Sequence, residues 1–372
     1  MVRRQLAPIL VVVAIATGCT PDAPDTAPVP APSVSAQTVE PSTLPTEPAR
    51  PKAFVTAYAT GPSSGWLLTR DHLYRTLDGG TTWTGAAVPP LPAGVFPPGQ
   101  LFVRADIAWI VTVSEGDGMV VVTRVEERGV SSQVALPGPH PGATSARVAF
   151  ADPQHGWAAI AGRTPGSTLY GTDDGGQSWR AIGGIPVDGA LHPVDTKTLF
   201  ALGSRLWRSD DGGVTWRGEQ PPSPAIPELP ASYTALSLFG IRGVLQVNVP
   251  TGMMGYAVFD VTADGGRTWT SRRAPDRAAF SNTGPPLRLS ATGPDDWHIS
   301  QGRQLWATTD GGRTWQEVTT DLPAVNVVDL SFVSADQAWA VATQRVGDEE
   351  VRGLYATEDG GRHWVAVRAP SE

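Results

Sequence analysis

Short apolar runs alternate with clusters of Gly, Pro, Asp and Ser along residues 52–369, and none of them has the periodicity of an amphipathic helix. Such runs are typical of β-strands that are joined by tight turns. The chain is therefore expected to be all-β, with units of four antiparallel strands. In the last unit, the pattern predicts strands at 327–333, 339–343, 354–357 and 363–367.

One pattern, Asp-Gly-Gly-x-Thr/Ser-Trp, occurs six times and sets the length of the unit. A Ser or Thr stands two residues before each Asp, and only the last copy departs from the pattern, with His363 in the Thr/Ser position. The Gly pair predicts a hairpin with positive φ angles, and the Asp and Ser/Thr side chains are expected to bond the turn's own backbone. The copies start and end at Asp78 and Trp83, Asp174 and Trp179, Asp211 and Trp216, Asp264 and Trp269, Asp310 and Trp315, and Asp359 and Trp364.

One unit lacks its copy, because the first interval, 174 − 78 = 96 residues, is about twice the others. Strand-like runs fill this interval, and Glu126-Glu127-Arg128-Gly129 takes the place of the turn. Seven units of about 46 residues, each with four strands, predict a seven-bladed β-propeller. The predicted blades are 52–90, 99–137, 145–186, 187–222, 231–273, 285–321 and 324–369.

The extended pattern, S/T-x-D-x-G-x-T/S-W, resembles the Asp-box, or BNR repeat, of sialidases, sortilin-type receptors and several glycosidases. Leu73-Tyr74-Arg75-Thr76 before the first copy, and Gly65-Trp66 further upstream, look most similar to the photosystem II assembly/stability-factor branch of these propellers. That branch is seven-bladed, and the resemblance covers residues 52–369. It implies the fold much more strongly than a function.

All 13 tryptophans occupy positions that the repeat defines. Six belong to the recurring pattern, five open the second strand of a blade, and two lie in a third strand. We expect them to pack within and between blades rather than to form a platform for a stacked ligand. The second-strand and third-strand members are Trp66, Trp109, Trp157, Trp297, Trp339, Trp207 and Trp306.

The N-terminus predicts export and a lipid anchor. Residues 1–18 contain Arg3 and Arg4 and then a short apolar run, which is typical of a signal peptide and too short to span a bilayer. The segment that ends in Cys19, the single cysteine, resembles a bacterial lipoprotein signal. This implies a diacylated Cys19 on the outer face of the cytoplasmic membrane; an ordinary cleaved signal is the alternative. The Pro-rich residues 19–51 are expected to form an extended tether.

Composition and motifs exclude several classes of function. The net charge of −8, without a basic stripe, argues against nucleic-acid binding. The six His lack metal-ligand spacing, and no phosphate loop is present, so we expect no metal and no cofactor. Residues 61–65 match G-x-S-x-G, but a predicted strand follows where an esterase needs a helix. Gly184-Ile185-Pro186 lacks the arginine of the sialidase Arg-Ile-Pro segment.

The ligand site is predicted on the face opposite the recurring turns, where the channel opens. Aligned first strands put Arg147 level with Asp329, with Arg288 approximately level with both. Arg272 and Arg273 belong to a long predicted loop on the same face. Two interpretations stay open. Asp329 could pair with neighbouring arginines and seal the channel, or the mouth could bind an anionic or peptide ligand.

These observations favour a monomeric, non-enzymatic binding or assembly scaffold for an envelope protein, peptide or glycan. The alternative is a sialidase-like or other glycoside hydrolase at the channel mouth. Such an enzyme needs two carboxylates roughly 5–10 Å apart, and Asp329 is the one obvious candidate on an inner strand. A surface module without a small ligand is a third interpretation.

Overall fold

The computed structural model describes residues 54–89, 101–104, 106–114, 118–138, 140–162, 166–221, 231–251, 254–276, 278–281, 287–323, 326–346 and 349–370. All of them belong to one unit of the chain, Ala49–Glu372. The predicted signal peptide, Cys19 and the tether lie outside the described residues. Strands, turns and bends make up the described part, which contains no helix.

Seven antiparallel sheets confirm the predicted seven-bladed β-propeller. In each sheet, four strands that are consecutive in the chain lie side by side in order. The first three blades contain β1 (Phe54–Ala59), β2 (Gly65–Thr69), β3 (His72–Thr76) and β4 (Thr84–Ala87); β5 (Leu101–Arg104), β6 (Ile107–Val113), β7 (Val120–Glu126) and β8 (Gly129–Ala135); β9 (Ser145–Phe150), β10 (Gly156–Ala161), β11 (Ser167–Thr172) and β12 (Arg180–Ile185).

The remaining four blades follow the same scheme, and the fifth has one additional strand. They contain β13 (Ala190–Pro193), β14 (Leu199–Leu202), β15 (Leu206–Ser209) and β16 (Arg217–Glu219); β17 (Ser232–Phe239), β18 (Arg242–Pro250), β19 (Met254–Thr262), β20 (Thr270–Arg273) and β21 (Ala279–Ser281); β22 (Arg288–Ala291), β23 (Trp297–Gln301), β24 (Gln304–Thr308) and β25 (Gln316–Val318); β26 (Asn326–Phe332), β27 (Ala338–Val346), β28 (Glu349–Thr357) and β29 (Val365–Val367). The additional strand, β21, pairs with β19.

Position within a blade explains the apolar content of each strand. The second strands β2, β10 and β23 are buried at every residue. Each lies between two strands of its own sheet and under neighbouring blades, so both of its faces need apolar side chains. The fourth strands β4 and β25 have no buried residue, because they form the outer edge of the blade.

Aromatic side chains pack in the seams between blades, as the sequence predicts. Trp109 of the second blade is fully buried and stacks on Phe150 of the third, with ring centroids 3.9 Å apart. Trp339 of the seventh blade is buried beside Trp83 of the first, at 6.0 Å. Burial of rings this large supplies much of the hydrophobic contact between blades.

The six Asp-Gly-Gly turns, as we call the recurring segments between third and fourth strands, have the predicted geometry. In the third blade, Gly175 and Gly176 have φ angles of 74° and 94°. Asp174 accepts hydrogen bonds from Thr172 Oγ1 at 2.7 Å, from Ser178 N at 2.9 Å and from Ser178 Oγ at 2.6 Å. Each turn is therefore held by hydrogen bonds within itself.

The departure in the last copy leaves this geometry intact. His363 Nδ1 lies 2.5 Å from Asp359 Oδ2, where the other copies place a hydroxyl group. The hydrogen bond to the carboxylate, and its negative charge, raise the pKa of His363. A protonated imidazole can thus replace the hydroxyl donor of Thr or Ser.

The second blade has a different turn. In the other six blades seven residues separate the third strand from the fourth, as 173–179 do in the third blade. In the second blade only Glu127 and Arg128 intervene, and Glu126 pairs directly with Gly129. This tight hairpin confirms that 126–129 replace the missing copy.

The ring closes where the first blade meets the seventh. Trp83 Nε1 donates to the carbonyl oxygen of Arg368 at 2.9 Å, and Arg352 donates to that of Val55 at 2.7 Å. Trp339 anchors an apolar cluster that side chains of both blades share. Among the described strands, neither sheet takes a strand from the other end of the chain. The described contacts across this seam are thus side-chain packing and isolated hydrogen bonds.

Candidate functional site

The first strands of the blades converge at the centre of the ring. Contacts join β5 to β9, β9 to β13, β13 to β17, β22 to β26 and β26 to β1. Arg147, Arg288 and Asp329 all lie on these strands. Arg147 and Asp329 each pair opposite the residue two positions beyond the Trp of the second strand, and Arg288 opposite the residue three positions beyond it. The three residues therefore have the relative heights that the sequence alignment predicts.

Asp329 is the centre of a polar cluster that three blades build. Thr56 Oγ1 of the first blade donates to Asp329 Oδ2 at 3.2 Å, and Leu330 N donates to Oδ1 at 2.9 Å. Burial raises the pKa of Asp329, although the positive charge of Arg288 and these two hydrogen bonds act in the opposite direction. Burial dominates because removing a carboxylate from water disfavours its charged form.

Tyr58 completes this cluster, which we call the channel cluster: Thr56, Tyr58, Arg288 and Asp329. Burial and the negative charge of Asp329 raise the pKa of the Tyr58 phenol, while Thr56 and Arg288 lower it. The phenol is therefore protonated at neutral pH and can donate a hydrogen bond. In the described part of the chain, Arg288 Nε is buried and has no hydrogen-bond partner.

Arg147 stands apart from the channel cluster. Burial lowers the pKa of its guanidinium, and the negative charge of Asp188 raises it. Arg147 is not among the groups that shift the pKa of Asp329. The structure thus brings Arg288 to Asp329 and gives Arg147 a different carboxylate neighbour.

Arg272 and Arg273 lie elsewhere than the sequence predicts. They belong to the fourth strand β20, because residues 270–273 continue the sheet beyond the Asp-Gly-Gly turn instead of starting a loop. Arg272 lines a cleft against the Asp-Gly-Gly turn of the sixth blade, together with Arg313. Arg273 is exposed and lies 3.6 Å from Asp276. Both are therefore at the outer edge of the ring, away from the channel cluster.

Three polar residues near the channel escaped the sequence analysis. Thr56 and Tyr58 lie on β1, and His192 lies on β13. Burial lowers the pKa of His192 to about 4, so its imidazole is neutral at pH 7. Their position in the repeat could have identified them. Each of the three lies on the first strand of its blade, and side chains on first strands that point to the centre of the ring contact those of other blades.

The cluster has the groups to bind an anion or a hydrogen-bonding ligand. None of the three groups that shift the pKa of Asp329 (Arg288, Thr56 and the amide of Leu330) is a carboxylate. In the described ranges, no three His, Cys, Asp or Glu side chains lie close enough to hold a metal ion. No helix long and apolar enough to cross a bilayer occurs among the described residues.

Comparison with solved structures shows the fold. The chain is similar to the GH74 xyloglucanase from Xanthomonas campestris, with a TM-score of 0.52 and 14% identity, over 86% of this chain and 60% of that one. It is similar to the β-propeller domain of the Trilobed protease from Pyrococcus furiosus, described as having an open velcro topology, with a TM-score of 0.51 and 8% identity, over 86% and 98%. YCF48 from Cyanidioschyzon merolae follows with a TM-score of 0.43 and 16% identity, over 88% and 89%.

These similarities show the fold of this chain but do not identify its function. The chain spans about 60% of the length of the xyloglucanase. No model of a protein family matches the chain, and no curated protein sequence matches it. Because unrelated functions share the propeller fold, the function has to be argued from the site.

Proposed function

We propose that this protein is a non-enzymatic binding scaffold whose channel mouth takes an anionic group of an envelope protein, peptide or glycan. The main support for the proposal is the environment of Arg288. Its guanidinium lies beside Asp329 on an inner strand, and its Nε is buried without a hydrogen-bond partner among the described residues. A buried N–H group without an acceptor costs roughly 1–3 kcal/mol, so a ligand oxygen at this position would stabilise the complex.

The surroundings of Arg288 support an anion as the ligand. Arg147 adds a second positive charge on an inner strand outside the channel cluster, and the negative charge of Asp188 already stabilises its charged form. Tyr58 adds a neutral hydroxyl donor. Three donors on inner strands match a carboxylate, a sulfate or a uronic acid better than a neutral ligand.

The composition of the channel cluster favours a binding function over the hydrolysis of a glycan. A glycoside hydrolase of the usual kind needs two carboxylates roughly 5–10 Å apart. Asp329 is the carboxylate of the channel cluster, and its described neighbours are a cation, a phenol and a hydroxyl. The raised pKa of Asp329 suits a proton donor, so a glycoside hydrolase is kept as the second candidate for the assay below.

We place the scaffold outside the cytoplasmic membrane through a lipid on Cys19. This part of the proposal rests on the sequence of residues 1–19, which resembles a bacterial lipoprotein signal. In a bacterial host, Cys19→Ala should move the protein from the membrane fraction to the soluble exported fraction. Mass spectrometry of the wild-type N-terminus should show a diacylated cysteine. An unmodified cysteine would contradict the anchor without affecting the channel site.

Affinity capture from envelope extracts tests the site. The bait is the folded domain, as wild type or with Arg288→Ala or Arg147→Ala. Arg313→Ala is the matched control, because it removes an exposed arginine from an Asp-Gly-Gly turn. We expect at least a tenfold loss of the captured ligand for the two channel variants and none for the control. Equal capture by all four baits, with equal thermal melting, would contradict the proposal.

A hydrolysis assay separates the two candidate functions. Wild type and Asp329→Asn are incubated with xyloglucan, sialosides and β-glucans, and released sugars are quantified. The binding scaffold predicts no release by either protein. Release by the wild type that Asp329→Asn abolishes would replace the scaffold with a hydrolase.

A further inference from the structure

A cleft of about 360 Å³ opens between the first and second blades, outside the channel cluster. Its walls are the third strand, the turn and the fourth strand of the first blade, and the tight hairpin of the second blade. It lies where the second blade would carry an Asp-Gly-Gly turn. The two-residue hairpin, Glu127 and Arg128, is five residues shorter than the seven-residue turns of the other blades, and the cleft occupies the space left.

At other seams, an Asp-Gly-Gly turn presents backbone carbonyl groups to donors of the preceding blade. Between the second and third blades, Trp109 Nε1 donates to the carbonyl oxygen of Gly175 at 3.0 Å. Arg124, whose guanidinium covers the Trp109 ring, donates to the same oxygen at 3.1 Å. Between the third and fourth blades, Trp157 Nε1 donates to Gly212 at 2.9 Å.

The first blade carries the same pair of donors without that acceptor. Trp66 is 2% exposed, and its Nε1 has no hydrogen-bond partner within the described ranges. Arg75 covers the Trp66 ring at 5.3 Å, as Arg124 covers Trp109, and forms an ion pair with Asp106 of the second blade. Leu77, at the rim, is 60% exposed.

We propose that this cleft binds a turn of another polypeptide, which presents a backbone carbonyl group to Trp66 Nε1 and Arg75 in the manner of an Asp-Gly-Gly turn. The occupant is argued from the neighbouring seams, where the same donors bind glycine carbonyl groups of this chain. The cleft volume is at the lower end of the range for ligand pockets, which suits a short turn. The exposed Leu77 would pack against an apolar side chain of the partner.

Glycine at the tip of the bound turn follows from the space available. A Cβ atom built on Gly175 would lie 1.8 Å from a nitrogen of Arg124 and 2.7 Å from the carbonyl oxygen of Pro153. The positive φ of 74° is a second reason for glycine. Because Arg75 stands over Trp66 as Arg124 stands over Trp109, a partner's turn meets the same close approach of an arginine side chain.

A constrained peptide tests the proposal directly. The probe is residues 172–179 of this chain, closed by a disulfide between two added terminal cysteines, and it is titrated into the folded domain labelled with ¹⁵N in its indole groups. We expect the Trp66 indole resonance to shift, and Trp66→Phe to weaken peptide binding about tenfold. Trp157→Phe, which removes an indole donor that Gly212 already satisfies, should leave the affinity unchanged. A probe with Ala at both glycine positions should not bind.

A graft supplies a second, independent variant. Replacing Glu127 and Arg128 by residues 173–179 gives the second blade its own Asp-Gly-Gly turn, which should fill the cleft and abolish peptide binding. Arg288→Ala should bind the peptide like the wild type, so failure of the channel site and failure of this cleft are distinguishable. No shift of the Trp66 resonance at millimolar peptide, or equal affinity for wild type and Trp66→Phe, would overturn the proposal.

Discussion

Two aspartates in different regions of the ring, Asp174 and Asp329, have pKa values that are shifted in opposite directions. Asp174, in an Asp-Gly-Gly turn, accepts hydrogen bonds from two hydroxyl groups and a backbone amide, and these bonds lower its pKa to about 2. Asp329, on an inner strand, accepts one bond from Thr56 and one from its neighbour's amide, and burial raises its pKa. The turn thus stabilises the charged form of Asp174, whereas the channel destabilises that of Asp329.

This difference in pKa indicates that the two aspartates have different roles, Asp174 in the stability of the fold and Asp329 in the candidate binding site. The arrangement of Asp174 recurs in six blades, so its role is to form the hairpin that every blade needs. Asp329 is specific to one blade, and the fold gains little from keeping it charged. Buried groups that the structure stabilises poorly are candidates for function, so the comparison directs attention to the channel cluster.

The largest effect is expected from removing the turn carboxylate. Asp174→Ala eliminates the acceptor of three hydrogen bonds and should lower the unfolding free energy by about 1–2 kcal/mol, as the loss of a helix-capping side chain does. Asp329→Asn keeps a carbonyl oxygen as an acceptor for hydrogen bonds and removes the buried charge, so it should cost less than about 1 kcal/mol. Urea titration of both variants measures the difference. An equal loss would remove the distinction between the two regions.

An intermediate effect is expected at two indole groups. Trp109→Phe and Trp66→Phe remove the same ring volume, but within the described ranges only Trp109 loses a hydrogen bond. We therefore expect Trp109→Phe to be less stable than Trp66→Phe by about 1 kcal/mol. Thermal and urea unfolding of the matched pair decide this. A more stable Trp109→Phe would show that ring packing outweighs the bond.

The smallest effect is expected in the pH dependence of stability, where the two aspartates have opposite signs. Asp174 has a native pKa of about 2 against an ordinary value of 3.8, so the unfolded chain binds its proton first. Its contribution is present above pH 4 and is lost as the pH falls towards 2. Asp174→Ala should remove this part of the acid destabilisation.

For Asp329 the native pKa is the higher one, so the native protein keeps the proton longer. Its contribution is therefore complete below pH 3.8 and declines as the pH rises through the native pKa. Asp329→Asn should gain stability relative to the wild type over that rise. Unfolding free energies measured from pH 2 to pH 7 test both signs. Parallel curves for Asp329→Asn and the wild type would contradict the second.

The sequence predicted the ring because the ring is repetitive. Six copies of one turn give the period, and the apolar strands at 101–136 reveal the blade that lacks a copy. The fourth strand of that blade was recognised as a strand-like run, 130–136, that follows Glu126-Glu127-Arg128-Gly129. Turns of this kind and strands buried on both faces have characteristic sequence patterns, so both can be predicted from the sequence.

The site was predicted only in part, for a physical reason. Arg147, Arg288 and Asp329 were found because alignment of repeats shows which inner-strand residues are polar. Which of them approach each other depends on the curvature of the ring and on a β-bulge beside Asp329, and neither leaves a local pattern. Arg272 and Arg273 were misplaced because a loop and an outer strand look alike after an Asp-Gly-Gly turn.

The seam between the first and seventh blades differs from the other six, because the polypeptide does not continue across it. Six of the seven seams are crossed by the polypeptide itself, and at the seventh the described strands are held by contacts such as Trp83 with Arg368. Force applied to the two ends of the domain therefore acts first on that seam, and the domain can part there while every blade keeps its sheet. For a load applied at those two ends, this seam therefore determines the mechanical strength of the ring.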